Sequence, residues 1–133
     1  MAIQSFRDLR VWQSGMELVV GVYEFTRTMP KSEVYGLSSQ LQRAAVSVPA
    51  NIAEGHTRSS LKEYLHFLSV ARSSLAEVET YLELAQRLSY TSAERARPLL
   101  DLTTSAHRQL IALRNSLSTH LREDPFPYDN TTS

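Results

Sequence analysis

Glu63 and His66 have the spacing that most resembles a metal site, because they form the motif E-x-x-H. Residues three apart lie on the same side of a helix, so both side chains could contact one ion. Di-iron four-helix bundles use this motif twice and add a glutamate from each of two other helices. This chain has the motif once. Ser60 and Glu63 also have the S-x-x-E spacing of a helix capping box, which gives Glu63 a structural role. We therefore expect no metal site and keep a metal-dependent bundle as the enzyme-class alternative.

Serine nucleophiles are a second kind of chemistry to consider. Ser73 and Ser74 resemble a tandem nucleophile by residue type alone, and small residues of this kind favour a tight helix crossing. The sequence has no glycine-rich phosphate loop, no nucleophile elbow and no paired catalytic carboxylates. We therefore predict a non-enzymatic protein with no catalytic residue, no cofactor and no small-molecule substrate.

Polar side chains follow one face of the second predicted helix at spacings of three and four residues. They are mostly short amide or hydroxyl groups, which suit hydrogen bonds between closely packed helices. Together with polar residues of the third helix, the candidate inter-helix polar network consists of Gln40, Arg43, Ser47, Asn51, Glu54, Ser73, Ser74 and Glu77. We favour a buried network that fixes helix register over a ligand pocket. Arg43 would then pair with a buried carboxylate, and Arg43→Ala would cost about 3–5 kcal/mol.

Apolar periodicity predicts four helices, at about residues 6–28, 34–55, 60–89 and 92–122. Ser5, Ser60 and Thr91 are the predicted N-caps, and Gly55 is a predicted C-cap because glycine adopts positive φ at little cost. The third helix has a heptad pattern formed by Leu61, Leu68, Leu75 and Leu82 with Tyr64, Ala71, Val78 and Ala85. Short connections favour antiparallel neighbours. The predicted fold is therefore all-α, an antiparallel up-down-up-down four-helix bundle.

The first helix carries two apolar stripes, although a bundle core requires one. The predicted core stripe consists of Leu9, Trp12, Met16, Val19 and Tyr23. The second stripe is the candidate oligomer interface and consists of Val11, Gly15, Leu18, Val22 and Phe25. The alternative is that this helix lies more centrally than a regular bundle implies.

The length of 133 residues indicates one domain, which we place over residues 1–122. The segment after it, residues 123–133, has no apolar periodicity and is predicted to be a disordered tail. There is no cysteine, which excludes disulfides and thiolate metal sites. No signal peptide and no membrane-spanning run is evident, so we expect a cytoplasmic protein without a membrane partner.

Arginine placement on the fourth helix provides the argument for nucleic acid, because 14 basic and 14 acidic residues give zero net charge. The candidate nucleic-acid stripe consists of Arg97, Arg108 and Arg122, which lie within about 40° on a helical wheel. Repeated around a ring of subunits, such a stripe could bind phosphates multivalently. The alternative is an ordinary solvated face, balanced by the acidic residues Glu77, Glu79 and Glu83 of the third helix.

Residues 35–55 form the most unusual run, Y-G-L-S-S-Q-L-Q-R-A-A-V-S-V-P-A-N-I-A-E-G. With F-R-D-L-R-V-W-Q at residues 6–13 and A-R-S-S-L-A-E-V-E at residues 71–79, it resembles the four-helix bundle family of 23S rRNA intervening-sequence proteins. That family is related to the accessory variability protein of diversity-generating retroelements. The resemblance implies a bacterial homopentamer, whose retroelement relatives bind nucleic acid and a reverse transcriptase through a basic ring.

The prediction from sequence is a non-enzymatic homo-oligomeric bundle that acts as an accessory or scaffold protein. Its expected partners are further copies of itself, with RNA or a ribonucleoprotein as a candidate. The alternative is a purely protein-binding oligomeric scaffold without affinity for nucleic acid.

Overall fold

The computed structural model describes the backbone of residues 5–123 and the side chains of residues 5–119. Four helices make up nearly all of it: α1 is Arg10–Thr26, α2 is Leu37–His56, α3 is Leu61–Arg87 and α4 is Ala93–Glu123. Short 3-10 turns at Phe6–Asp8 and Lys31–Glu33 precede α1 and α2. No strand occurs in this part of the chain, so the all-α class is confirmed.

The helices pack in a square, in which α1 and α3 each contact both α2 and α4. Between α1 and α2, Gln42 Nε2 donates to Thr26 Oγ1 at 2.9 Å, whereas Gly15 lies against Pro49. Residue numbers therefore rise along α1 as they fall along α2. Such paired contacts define antiparallel neighbours.

The same order relates α2 to α3. Ser74 Oγ donates to Ser47 Oγ at 2.7 Å, and Gly55 lies against Tyr64 and Phe67 nearer the connection between the two helices. The α1–α2 connection and the α3–α4 turn therefore share one end of the bundle, which we call the tip.

The predicted heptad of α3 forms the centre of the core. Its leucines at 68, 75 and 82 are at most 1% exposed, and the small residues Ala71, Val78 and Ala85 are completely buried. From α4, Leu99, Thr103, Ala106 and Leu110 complete this core at helical spacings of three and four residues.

The predicted assignment of the two α1 stripes is wrong, because the structure reverses them. The buried residues of α1 are those of the candidate oligomer interface, namely Val11, Gly15, Leu18, Val22 and Phe25. In the predicted core stripe only Leu9 is buried, and Met16 and Tyr23 are 42% and 44% exposed. The buried stripe, predicted as the oligomer interface, lies against α2 and α4. It contains Gly15, whose missing side chain leaves room for the Pro49 ring.

Helix ends also differ from prediction. Ser5 caps the first 3-10 turn instead of α1, because its hydroxyl accepts from the Arg7 N–H at 3.1 Å. Ser60 caps α3 as predicted and accepts from the Glu63 N–H at 3.2 Å. In α4 the cap is Ser92, which accepts from the Arg95 N–H at 3.1 Å. The Thr91 hydroxyl is buried and finds no hydrogen-bond partner among the described residues.

Ser89, just after α3, has a left-handed backbone conformation with φ of 62°. Its N–H donates to the Gln86 carbonyl at 3.0 Å, and the Tyr90 N–H donates to the Ala85 carbonyl at 2.8 Å. This pair of hydrogen bonds is the Schellman motif that ends a helix. Gly55, the predicted C-cap, is instead helical and buried, and no glycine of the described chain has positive φ.

No helix within residues 5–123 combines the length and apolar character needed to cross a bilayer. The fourth helix reaches Glu123, and the rest of the predicted disordered tail lies outside the described residues.

Candidate functional site

Three members of the predicted polar network meet where α2 crosses α3. Ser47 Oγ accepts hydrogen bonds from Ser74 Oγ at 2.7 Å and from Asn51 Nδ2 at 2.9 Å. The Asn51 amide also donates to the Ser47 carbonyl at 2.8 Å. These short side chains are buried or half-buried, and they satisfy one another. This part of the network holds two helices together.

The other five members project into solvent, so the network is smaller than the sequence predicts. The exposed members are Gln40, Arg43, Glu54, Ser73 and Glu77. Glu54 forms an exposed ion pair with Arg58 at 2.9 Å, and Arg43 has no ionic partner among the described residues. The prediction that Arg43 pairs with a buried carboxylate is therefore wrong. The close crossing admits only short side chains and the four long ones point outward, whereas Ser73 is short but occupies an exposed position of α3.

Glu63 and His66, the E-x-x-H pair, are both exposed on α3. The His66 ring packs edge-on against Phe67, with centroids 5.4 Å apart. Within the side chains that the structure describes, no three His, Cys, Asp or Glu residues are close enough to hold a metal ion.

Tyr64 and His56 join the end of α2 to the start of α3. His56 Nδ1 lies 3.1 Å from the Tyr64 hydroxyl, and the rings pack edge to face. Burial raises the pKa of Tyr64 to about 12, so its phenol stays protonated at neutral pH. This contact positions the α2–α3 connection.

An exposed apolar surface lies along α1 and α2, and we call it the α1/α2 face. Its large side chains are Met16, Val20, Tyr23 and Val46, each between 42% and 58% exposed. An open groove of about 520 Å³ within it is lined by Tyr23, Ser39, Gln42, Arg43, Val46 and Ser47. Contiguous exposed apolar surface of this kind marks an interaction site more often than ordinary surface.

The α2 helix is unusually poor in charge where it borders this face. Between Leu37 and Ala53 the one charged residue is Arg43. Exposed helix positions normally carry lysine and glutamate, yet Val46 and Ala50 occupy them here. The scarcity of charged residues along α2 is visible in the sequence. We interpreted the polar residues there as an internal network and therefore did not predict an exposed interaction surface.

Four further large apolar side chains are exposed near the tip, and we call this group the tip patch. It consists of Val34, Tyr35, Leu84 and Leu88, and Tyr35 is 97% exposed. Apolar spacing in the sequence does not distinguish these residues from core residues.

Glu33 fixes the α1–α2 connection beside this patch. Its Oε1 accepts from the Leu37 N–H at the start of α2, and its Oε2 accepts from the Tyr90 hydroxyl of the α3–α4 turn, both at 2.9 Å. The backbone hydrogen bond, with the Tyr90 bond adding to it, lowers the pKa of Glu33. An ionised carboxylate therefore links two connections at the tip.

Arg97 and Arg108 of the candidate nucleic-acid stripe are both exposed, and the Arg122 side chain lies outside the described ones. A groove of about 370 Å³ between α3 and α4 brings Arg97 beside Glu79 and Glu83. Acidic side chains thus flank one end of the stripe, although no carboxylate in the described chain forms an ion pair with either arginine.

Comparison with known proteins agrees with this architecture. A solved structure from Bacteroides thetaiotaomicron, described as a protein of unknown function from the S23 ribosomal protein family, superposes with a TM-score of 0.71 at 25% identity. The match covers 78% of this chain and 97% of that one. No functionally curated protein matches. The family model described as 23S rRNA-intervening sequence protein matches residues 7–112. Since that match covers most of the chain, the protein belongs to the 23S rRNA-intervening sequence protein family.

Proposed function

We propose that the protein is a non-enzymatic, cytoplasmic scaffold whose copies associate through the α1/α2 face. The observation that carries this proposal is the combination of exposed apolar side chains with an α2 surface that has one charge in seventeen residues. Interface centres are depleted in charged residues and enriched in aromatic residues and methionine. On the α1/α2 face, Tyr23 is the aromatic residue and Met16 is the methionine.

Small residues on α2 favour a second helical surface as the occupant. Ala50 is exposed and Ser39 half-buried on its outer side, and short side chains let another helix approach closely. The resemblance noted from the sequence adds the expectation of a ring of five subunits.

The test is the solution mass of the wild type and of Val20→Glu, measured by light scattering. Val20 is 58% exposed, so a glutamate at this position is solvated in a free subunit and buried without a partner in an assembly. We expect the wild type at about five times the 15.0 kDa of one chain, and Val20→Glu at the mass of one chain.

Ala112→Glu is the matched control, because Ala112 is exposed on α4, away from both apolar surfaces. It should keep the wild-type mass. A monomeric wild type would refute the proposal, as would an oligomer that Val20→Glu leaves intact.

RNA binding is a second candidate activity, favoured by the exposed and unpaired Arg97 and Arg108. Copies of this stripe around an assembly would contact several phosphates at once, and such binding weakens steeply with salt. We expect RNA retention on a filter at low salt, and a shallower salt dependence in Arg108→Gln. Retention that is absent at every salt concentration would favour a scaffold that binds proteins alone.

A further inference from the structure

We infer that the protein binds the phosphate backbones of a double-stranded nucleic acid through three arginines of α3 and α4. We call Arg72, Arg108 and Arg114 the basic patch. This inference rests on the second candidate activity proposed above, and it names the class of nucleic acid and the residues in contact with it. The basic patch shares Arg108 with the candidate nucleic-acid stripe, but Arg72 of α3 takes the place of Arg97.

Charge is separated along α3 and α4, although the chain as a whole is neutral. Towards the end opposite the tip, residues 61–74 and 106–119 contain four basic residues and one acidic residue. Towards the tip, residues 75–105 contain three basic and five acidic residues. A polyanion is therefore attracted to the half of these two helices that lies away from the tip.

Arg72 lies on the edge of α3 that adjoins α4. Glu79 and Gln86 line the groove between these two helices, and Arg72 precedes Glu79 by the same seven residues that separate Glu79 from Gln86. Because seven residues complete about two turns, the three side chains share one side of the helix. Glu63, the acidic residue in this half of α3, is nine residues from Arg72, and these make about two and a half turns. It therefore lies on the opposite side of the helix.

Arg108 and Arg114 lie on the edge of α4 that adjoins α3. Thr104 and Leu100 line the same groove from α4. Arg108 follows Thr104 by four residues, which make about one turn, and Arg114 follows Leu100 by fourteen residues, which make about four turns. Between residues 102 and 119, α4 contains no acidic residue. No carboxylate of α4 therefore lies beside these two arginines.

The turn between α3 and α4 places Arg72 and Arg108 at the same height. Arg72 is fifteen residues before Arg87, where α3 ends, and Arg108 is fifteen residues after Ala93, where α4 begins. Arg114 is six residues farther along α4, or about 9 Å farther from the tip. Arg72 and Arg108 are exposed, Arg114 is half-buried, and none of them forms an ion pair within the described side chains. Three guanidinium groups on two adjacent helices are thus available to several phosphates at once.

The lack of aromatic side chains on this surface favours a double strand over a single strand as the ligand. Proteins that bind single strands stack the bases on aromatic rings. The α4 sequence contains no Phe, Tyr or Trp, and in α3 Tyr64 and Phe67 pack against Gly55 of α2. Tyr81 is nine residues after Arg72, so it lies on the opposite side of α3. In a double helix the bases stack on one another and the phosphates face outward, so arginines without aromatic neighbours suffice.

The test is a fluorescence anisotropy titration of the whole chain at several salt concentrations. The probes are a labelled RNA duplex, a DNA duplex of the same sequence and one strand of the RNA. We expect the RNA duplex to bind about tenfold more tightly than its single strand at low salt, and its affinity to fall steeply as salt is added.

Three variants locate the contact. Arg72→Gln and Arg108→Gln should each make the plot of log affinity against log salt shallower by about one for each copy in contact, because each removes one phosphate contact. Arg97→Gln is the matched control, since Glu79 and Glu83 lie beside Arg97 in the groove, and it should keep the wild-type slope. Circular dichroism should show all three variants as helical as the wild type, because the three positions are exposed.

The outcomes separate this inference from the activity on which it rests. If no probe binds at any salt concentration, nucleic-acid binding and this inference are both overturned, whereas the scaffold is judged by its mass alone. A single strand that binds as tightly as the duplex keeps RNA binding and overturns the inference. So does a slope that changes in Arg97→Gln and stays unchanged in Arg72→Gln. Binding of the DNA duplex alone supports the inference and excludes RNA as the ligand.

Discussion

Gly55 occupies a position at which the neighbouring helix leaves no room for a side chain. A Cβ atom there would lie 3.0 Å from the Phe67 Cβ and 3.2 Å from the Tyr64 carbonyl oxygen. Both atoms belong to the rigid part of α3, so they cannot rotate away. The sequence explains the glycine equally well as a C-cap, and only the packing of α2 on α3 distinguishes the two roles.

We therefore predict that Gly55→Ala destabilises the bundle by about 1 kcal/mol, since overpacking outweighs the gain in helix propensity near a helix end. Thermal unfolding measures the effect. The control is Gly21→Ala, where the close atom is a terminal methyl group of Leu99 that can move aside. Equal changes in the two variants would contradict this explanation.

Ser89 is held in a left-handed conformation that disfavours every residue with a Cβ atom. Ser89→Gly removes this strain while it keeps the Schellman hydrogen bonds, so we expect a gain of about 0.5–1 kcal/mol. The comparison is Ser59→Gly, at an exposed loop position with negative φ, which should lose stability because glycine is more flexible in the unfolded chain. A lower melting temperature for Ser89→Gly would show that its hydroxyl contributes more than the strain costs.

At the scale of elements, Ser47 and Ser74 couple α2 to α3 through one hydrogen bond. Ser47→Ala and Ser74→Ala should each cost about 1 kcal/mol, because each leaves a polar group without its partner. The double variant should cost less than the sum, since it removes both partners. Chemical denaturation of the four proteins measures this coupling, and strict additivity would argue that the hydroxyls act independently.

Glu33 links the α1–α2 connection to the α3–α4 turn, and its lowered pKa predicts a dependence on pH. A carboxyl group with a lower pKa in the folded state stabilises that state above its unfolded pKa of about 4.3. This contribution disappears as the pH falls through the lower folded value. The melting temperature of Glu33→Gln should therefore lie below that of the wild type at pH 7 and approach it in acid. A constant difference between pH 3 and pH 7 would exclude this origin.

The elements differ in how far the sequence predicts them. The α3 heptad has one apolar stripe, so its core face follows from spacing alone. The α1 helix is apolar over more than half of its circumference, and periodicity cannot show which stripe faces inward. Leu18 illustrates the consequence, because it is completely buried and Leu18→Glu would unfold the bundle rather than dissociate an assembly.

At the scale of the whole molecule, class and family were predictable, because four amphipathic segments and the run at residues 35–55 determine them. The exposed surfaces were not, since exposure depends on how neighbouring helices cover one another. Val20, Tyr35 and Val46 show this, because no rule of spacing identifies them as exposed.

The low charge of the α2 surface has a consequence for the amount of protein in a cell. If further copies cover this surface, the folded state is favoured by association, and dilution shifts the equilibrium toward separate subunits and then toward unfolded chains. The unfolding temperature should then rise with total protein concentration, which a single folded chain would not show. Abundance itself would become part of the stability of this protein, because each copy is protected from unfolding by the presence of others.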